Sequence, residues 1–271
     1  MKYLTIALWQ KIKNRNLPYS FSLKAIFFGL LGLIAQGSFF APIYSRPLIF
    51  QDTQGHWAEQ CIEQLAQRNI MSAYSSNLFQ PNFSMNRGDY AAMIINAFPD
   101  APLKRMEQSF DFIDIPETYW GIASIREAWL TGFVIGYPGN IFLPFEPISR
   151  LEVVLSLMAG LEYIPEIPEI PEEVSAEEIS DETLEDEEKA RKEHEMMILR
   201  RLQNIFSDAE DIPPYAREAI LNSIDYDLIV NYPNRNQFRP NDPATRAEIS
   251  AFLCQALDTT GVIPQQYIAD E

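Results

Sequence analysis

Residues 206–257 read FSDAEDIPPYAREAILNSIDYDLIVNYPNRNQFRPNDPATRAEISAFLCQAL, and two earlier stretches keep the same register. Residues 50–98 read FQDTQGHWAEQCIEQLAQRNIMSAYSSNLFQPNFSMNRGDYAAMIINAF, and 112–161 read FIDIPETYWGIASIREAWLTGFVIGYPGNIFLPFEPISRLEVVLSLMAGL. Each opens on Phe-x-Asp, with Asp52, Asp114 and Asp208, and an aromatic (Trp57, Trp120, Tyr215) then precedes a helix-periodic run. A tyrosine in a turn follows (Tyr74, Tyr137, Tyr232), then Phe-x-Pro at Phe79, Phe142 and Phe238. Eight residues after each of those phenylalanines stands an arginine: Arg87, Arg150, Arg246. A spacing held through three copies marks an internal repeat, and a repeat changes how every other residue is read.

Within a copy the pattern is helix, loop, helix. Ile62, Leu65 and Ala66 recur at i, i+3, i+4, as do Ile125, Ala128 and Trp129, which gives each first helix one apolar stripe. The copies then break at Ser75-Ser76-Asn77, Tyr137-Pro138-Gly139-Asn140 and Tyr232-Pro233-Asn234, the composition of turns. Asn86, Ser149 and Thr245 are N-caps for a second helix, with Asp89, Glu152 and Glu248 three residues on as capping-box or first-turn acids. One copy of about 50 residues buries only part of its apolar surface, so the three are expected to share one core. The fold class read here is mainly α: three helix-loop-helix repeats in one pseudo-threefold domain.

Outside the repeats the chain changes character twice. Lys2, Lys11, Lys13, Arg15 and Lys24 precede an apolar run from Ala25 to Tyr44. Residues 1–45 therefore read as an export segment, either a signal peptide cleaved near Ser45 or a membrane anchor of about 20 apolar residues. Between the second and third copies, residues 162–195 hold 15 acids against Lys189, Arg191 and Lys192. Their Pro-rich opening is expected to be extended. Their second part is expected to form a solvated helix from about Ser175, with Glu185–Lys189, Glu187–Arg191 and Glu188–Lys192 as i,i+4 pairs. Residues 258–271 form a tail.

Composition narrows the function. A net charge of -17 argues against nucleic acid and anionic membrane surfaces as main partners. Cys61 and Cys254 lie among apolar residues of expected helices without zinc-ligand spacing, so no metal and no cofactor is expected. They read first as two buried thiols, with one disulfide as the alternative. No carboxylate pair, phosphate loop or His-assisted nucleophile shows a catalytic pattern, so no enzyme is expected.

Phe-x-Asp, Trp57-Ala58, Tyr119-Trp120, Gly136-Tyr137-Pro138, Phe-x-Pro and above all Thr245-Arg246-Ala247-Glu248 resemble S-layer homology repeats. The resemblance implies a three-pronged spindle whose grooves bind cell-wall polysaccharide, often carrying pyruvate ketals. It implies Arg246, then Arg150, then Arg87, as partners for an acidic glycan group, since a guanidinium holds a carboxylate through two parallel hydrogen bonds. The adjoining helix N-termini would add amide donors and positive dipole. Asp52, Asp114 and Asp208 would bond sugar hydroxyls, or else cap the helix that follows; Trp57, Trp120, Tyr137 and Tyr232 would offer faces to sugar rings. Departures occur at Ala73 and Asn231, where Gly136 stands in the second copy, at Tyr215 in place of Trp, and at Gly88-Asp89 in place of Ala-Glu. The expected role is an exported, non-catalytic module that attaches to wall polysaccharide or peptidoglycan in the periplasm or envelope. The alternative is a protein-interaction scaffold whose acidic insertion recruits a basic envelope protein.

Overall fold

The computed structural model describes residues 50–106, 108–162, 181–259 and 261–270, with the backbone alone for 181–187. The expected export segment, 1–45, and the Pro-rich half of the insertion lie outside the described residues. Residues 46–271 form a compact unit of their own.

Seven α-helices are present among the described residues: α1 (Glu59–Gln67), α2 (Arg87–Ala97), α3 (Ile122–Leu130), α4 (Arg150–Gly160), α5 (Asp181–Ile205), α6 (Pro214–Asp225) and α7 (Arg246–Ala256). The outer helices α1, α3 and α6 are amphipathic, burying Cys61, Ile62, Leu65 and Ala66 in α1, for instance. The inner helices are apolar nearly all round. In α7, Ala247 through Cys254 are buried without a break, as suits a helix walled in by its neighbours. Each outer helix packs on the inner helix of the preceding unit: α3 on α2, α6 on α4, and α1 on α7. The units therefore interlock in a ring and share one core, as the partial burial available to a single copy requires.

The inner helices start from a closed triangle of main chain. Met85 N–H donates to Ala244 (3.1 Å), Ala244 to Ile148 (2.8 Å) and Ile148 back to Met85 (2.9 Å). Asn86, Ser149 and Thr245 cap α2, α4 and α7, each accepting from the amide three residues on, and the last two form full capping boxes. The first two helical amides donate across the ring: Arg87 to Glu146 and Gly88 to Pro144, Arg150 to Asp242 and Leu151 to Pro240, Arg246 to Phe83 and Ala247 to Pro81. The donors that a helix N-terminus normally leaves over are thus used inside the fold. The expectation that they would serve a bound anion is corrected accordingly.

Two further readings change. Cys61 in α1 and Cys254 in α7 form a disulfide, joining first unit to third, so the alternative reading is the one adopted. The helix of the insertion is described from Asp181, its expected start near Ser175 lying outside the described residues, and it runs on through 195 to Ile205. Its last turns dock on α6, with Ile198 and Leu202, four residues apart, buried, and Phe206 buried just beyond the helix against Phe238. Of the three expected ion pairs, Glu188–Lys192 forms at 2.6 Å; the other two involve side chains outside the described set.

Candidate functional site

The three opening aspartates share one task. Asp52 accepts from the amides of Phe79 and Gln80 (2.8 and 2.6 Å), Asp114 from Phe142 and Leu143 (2.8 and 2.6 Å), and Asp208 from Phe238 and Arg239 (2.9 and 2.6 Å). The second residue of each pair has a left-handed backbone, with φ of 59° at Gln80, 60° at Leu143 and 55° at Arg239. Such conformations cost about 1–3 kcal/mol in a residue with a side chain, and two charge-assisted hydrogen bonds offset that. The aspartates therefore pin the Phe-x-Pro loops. The reading that they cap the following helix is corrected, and both carboxylate oxygens are already engaged before any sugar arrives.

The arginines also repeat one geometry, aimed into the next unit. Arg87 Nε donates to Phe142 O (2.8 Å), Arg150 Nε to Phe238 O (2.7 Å) and Arg246 Nε to Phe79 O (2.7 Å). Nη2 reaches the residue two before the turn tyrosine: Ile135 O, Val230 O and Ser72 O respectively. Each guanidinium also lies over the phenylalanine ring whose carbonyl it holds, at 4.8, 5.8 and 4.3 Å. The side chains are long enough to clasp a loop from the neighbouring helix start, and the ring returns the third clasp to the first unit.

What differs is the fate of the remaining charge. Arg87 pairs with Glu152 at 2.6 Å, and Glu152 also accepts from Tyr137 Oη. Burial and that bond push Tyr137 up to about 12. Arg150 is wholly buried, bonds Asn231 Oδ1 at 2.6 Å and lies 2.8 Å from Glu248, off the best hydrogen-bond line. Burial pulls the Arg150 guanidinium down to about 10. Burial also pushes the Glu248 carboxyl up, but Arg150, the Thr245 amide and Arg239 outweigh it and hold Glu248 below its ordinary value. At the third position stands Asp89, a methylene shorter. Its carboxylate turns to Asn86 Nδ2 (2.9 Å), and among the described residues no ion pair closes on Arg246. Burial raises Asp89 against the pull of Asn86 and Arg246.

The aromatic candidates divide the same way. Beside the Arg150 clasp, Trp57 stacks face to face on Tyr232 with centroids 4.9 Å apart and planes 9° from parallel, and the Tyr267 edge closes on both. Tyr215, in the position of a tryptophan, stands near Tyr137 beside the Arg87 clasp and is exposed. In the first unit, near Arg246, Tyr74 and Phe83 lie 6.2 Å apart, and in the second Trp120, Tyr119 and Phe145 form a cluster. Trp120 is 65 % exposed and Tyr74 60 %. Tyr119 lies against Gly88: a β-carbon there would sit 2.1 Å from its hydroxyl, which accounts for glycine where the other copies have Leu151 and Ala247. Asp89 is near enough for its charge, after burial, to raise Tyr119. Asp89 and Tyr74 thus lie within electrostatic reach of Arg246, and Tyr119, with Trp120 beside it, lies within reach of Asp89, so this neighbourhood draws on all three units.

The family model for the S-layer homology domain matches residues 49–91 and 205–249. The chain carries S-layer homology domains. The middle unit, 112–161, falls outside both matched segments, while its aspartate and arginine make the same contacts as theirs. The chain is 27 % identical over 214 residues to the amylopullulanase of Thermoanaerobacterium thermosulfurigenes, across 79 % of this chain and 10 % of that protein. It is 23 % identical over 216 residues to exoglucanase XynX of Acetivibrio thermocellus, across 80 % of this chain and 17 % of that protein. Over 77 residues it is 31 % identical to the cellulosome-anchoring protein of the same species, across 28 % of this chain and 17 % of that one. The chain thus spans only 10 % and 17 % of the length of these relatives.

Two residues that order the region between the first and second units escaped the sequence reading. Lys104 donates to the Ala159 and Gly160 carbonyls (2.7 and 3.0 Å) at the end of α4, and Arg105 to Trp129 in the last turn of α3 and to Val134 beyond it (2.7 and 2.8 Å). Cations at helix C-termini are a known complement to orphan carbonyls, but their distance in sequence from those helices left no local signal.

Proposed function

We propose that this chain is a non-catalytic module that attaches an exported protein to the cell envelope by binding acidic wall polysaccharide, and that the middle unit is a diverged third S-layer homology repeat. The observation that carries the reading is the Arg246 groove. Its guanidinium is half-buried and oriented by two carbonyls, with no carboxylate closing on it among the described residues and exposed aromatic faces alongside. A carboxylate on a glycan, a pyruvate ketal for instance, would complete the charge, while a sugar ring would lie on Trp120 or Tyr74. Arg87 and Arg150 then act as clasps that hold the units, with Glu152 and Glu248 supplying internally what the ligand supplies at Arg246. Anchoring also agrees with the name of one relative, the cellulosome-anchoring protein. The residue-by-residue roles are those of this reading: Arg246, Trp120 and Tyr74 contact glycan, and Asp52, Asp114 and Asp208 hold the loops that shape the groove.

The test is co-sedimentation of the full chain with sacculi that keep their accessory polysaccharide and with sacculi stripped of it. Pelleting with the first alone supports the reading, and Arg246→Ala then abolishes it while leaving the fold intact. Pelleting with neither removes the reading and turns attention to a protein partner for the acidic stretch.

A further inference from the structure

The pseudo-threefold arrangement gives each groove two internal controls, and one groove is covered where the other two are open. Ser72, Ile135 and Val230 are equivalent, two residues before the turn tyrosine. Ser72 is exposed and Ile135 is 64 % exposed, whereas Val230 is fully buried. The cover is the segment after α7. Ala269 N–H donates to Ile229 O at 2.9 Å, Asn231 N–H to Tyr267 O at 2.8 Å, and Ile268 bridges Val230. Val262, Ile263, Ile268 and Ala269 are buried beneath it, and Asp270 pairs with Arg235. Tyr267 then sets its ring edge 6.0 Å from Trp57 and 5.0 Å from Tyr232, at 71° and 78°.

A sugar ring stacks on an aromatic only if one face is open. One face of Trp57 is taken by Tyr232, and Tyr267 closes the side. Trp57 is half-buried, against the exposed Trp120 and Tyr215 at the same position of the other units. We propose that residues 262–270 are an intramolecular seal on a second sugar-stacking groove, the one at Trp57 and Tyr232, and that displacing the segment opens it to the same class of ligand as the Arg246 groove. The inference rests on the glycan reading for the ligand class, but the seal itself does not. Undocking uncovers four apolar residues and parts two backbone hydrogen bonds, so the sealed form is the resting form and a partner that gains from the freed segment would be needed to open it.

The experiment uses the full chain and two variants, Tyr267→Ala, which removes the ring edge, and Asp270→Arg, which sets like charge against Arg235 and spares the core. Acrylamide quenching of tryptophan emission is measured for each protein beside its Trp57→Phe counterpart, so that the difference reports Trp57. Binding isotherms are taken with polysaccharide released from sacculi, and circular dichroism checks that each variant is folded; if Tyr267→Ala unfolds, Asp270→Arg decides. The Trp57 quenching constant is expected to rise roughly twofold or more as the ring moves from half-buried to exposed, with a second class of sites appearing in the isotherm. Unchanged quenching in a folded variant overturns the seal. Raised quenching without new sites overturns the second groove. A wild-type chain that binds no polysaccharide removes the ligand class, and quenching still decides whether the segment covers Trp57.

Discussion

The Arg150 and Arg246 clasps differ by one methylene in the acid that faces each of them. Arg150 meets Glu248, which is long enough to reach the guanidinium while its other oxygen closes the capping box on Thr245. Arg246 meets Asp89, which spans only to its own cap, Asn86. The first pair is a buried structural unit with its charge cancelled. The second leaves a cation oriented and half-open beside aromatic faces. Identical register in the sequence therefore yields a closed fastener in one place and an open clasp, the receptor of the proposed reading, in the other, and the N3 acid distinguishes them.

The sharpest test of that contrast is stability. Arg150→Ala removes a wholly buried guanidinium with its hydrogen bonds to Phe238, Val230 and Asn231, leaves Glu248 only Arg239 and its own cap, and is expected to cost about 3–5 kcal/mol in urea unfolding. Arg246→Ala forfeits carbonyl hydrogen bonds at a half-exposed site and should cost about 1–2 kcal/mol. Equal losses would erase the distinction between fastener and receptor. Replacing both Cys61 and Cys254 by serine, which removes the covalent support of the α7–α1 seam next to the Arg246 clasp, should cost about 2–5 kcal/mol. The unfolding midpoint of the oxidised wild type with and without reductant provides the same comparison.

The two acids predict opposite pH behaviour. Glu248 is held below its ordinary value in the fold, so its contribution is complete above the unfolded carboxylate range, near about pH 4.3, and is lost as pH falls through the lower folded value. Glu248→Gln should therefore lower stability at neutral pH and flatten the acid limb of a stability–pH curve. Asp89 is raised by burial, so its ionisation costs stability as pH rises from the unfolded value through the folded one. Asp89→Asn should remove that cost and leave the neutral protein at least as stable as wild type. Parallel responses would show that the acids are not opposed. Smallest in stability but most direct for binding is Asp89→Glu. The added methylene should let the acid close on Arg246, changing stability by less than about 1 kcal/mol while weakening polysaccharide binding about tenfold, the equivalent of about 1.4 kcal/mol. Unchanged binding in that variant would detach the receptor role from the free charge.

Much of this architecture was legible residue by residue. Asn86, Ser149 and Thr245 announce helix starts because capping is local chemistry, and the apolar stripe of Ile62, Leu65 and Ala66 needs no tertiary knowledge. The arginines were found by register, but their destinations were not, since Phe79, Phe142 and Phe238 receive them only after the ring closes. The same holds for the aspartates, whose partners lie 27 to 31 residues away. The α5 helix was legible only in part. Side chains 188–194 are exposed, as expected of a solvated helix, but the acidic stretch drew attention away from Ile198 and Leu202, four residues apart beyond 195, whose burial the reading did not reach. The cysteines gave no pairing signal, because their neighbours are equally apolar in either redox state.

The cystine has a mechanical consequence. It joins positions 193 residues apart, so a pull applied between the two ends of the chain runs from the first unit straight across to α7. The polypeptide between Cys61 and Cys254 carries none of that tension until the sulfur bridge breaks. Arg246, at the start of α7, lies between the two cysteines and so off this covalent path.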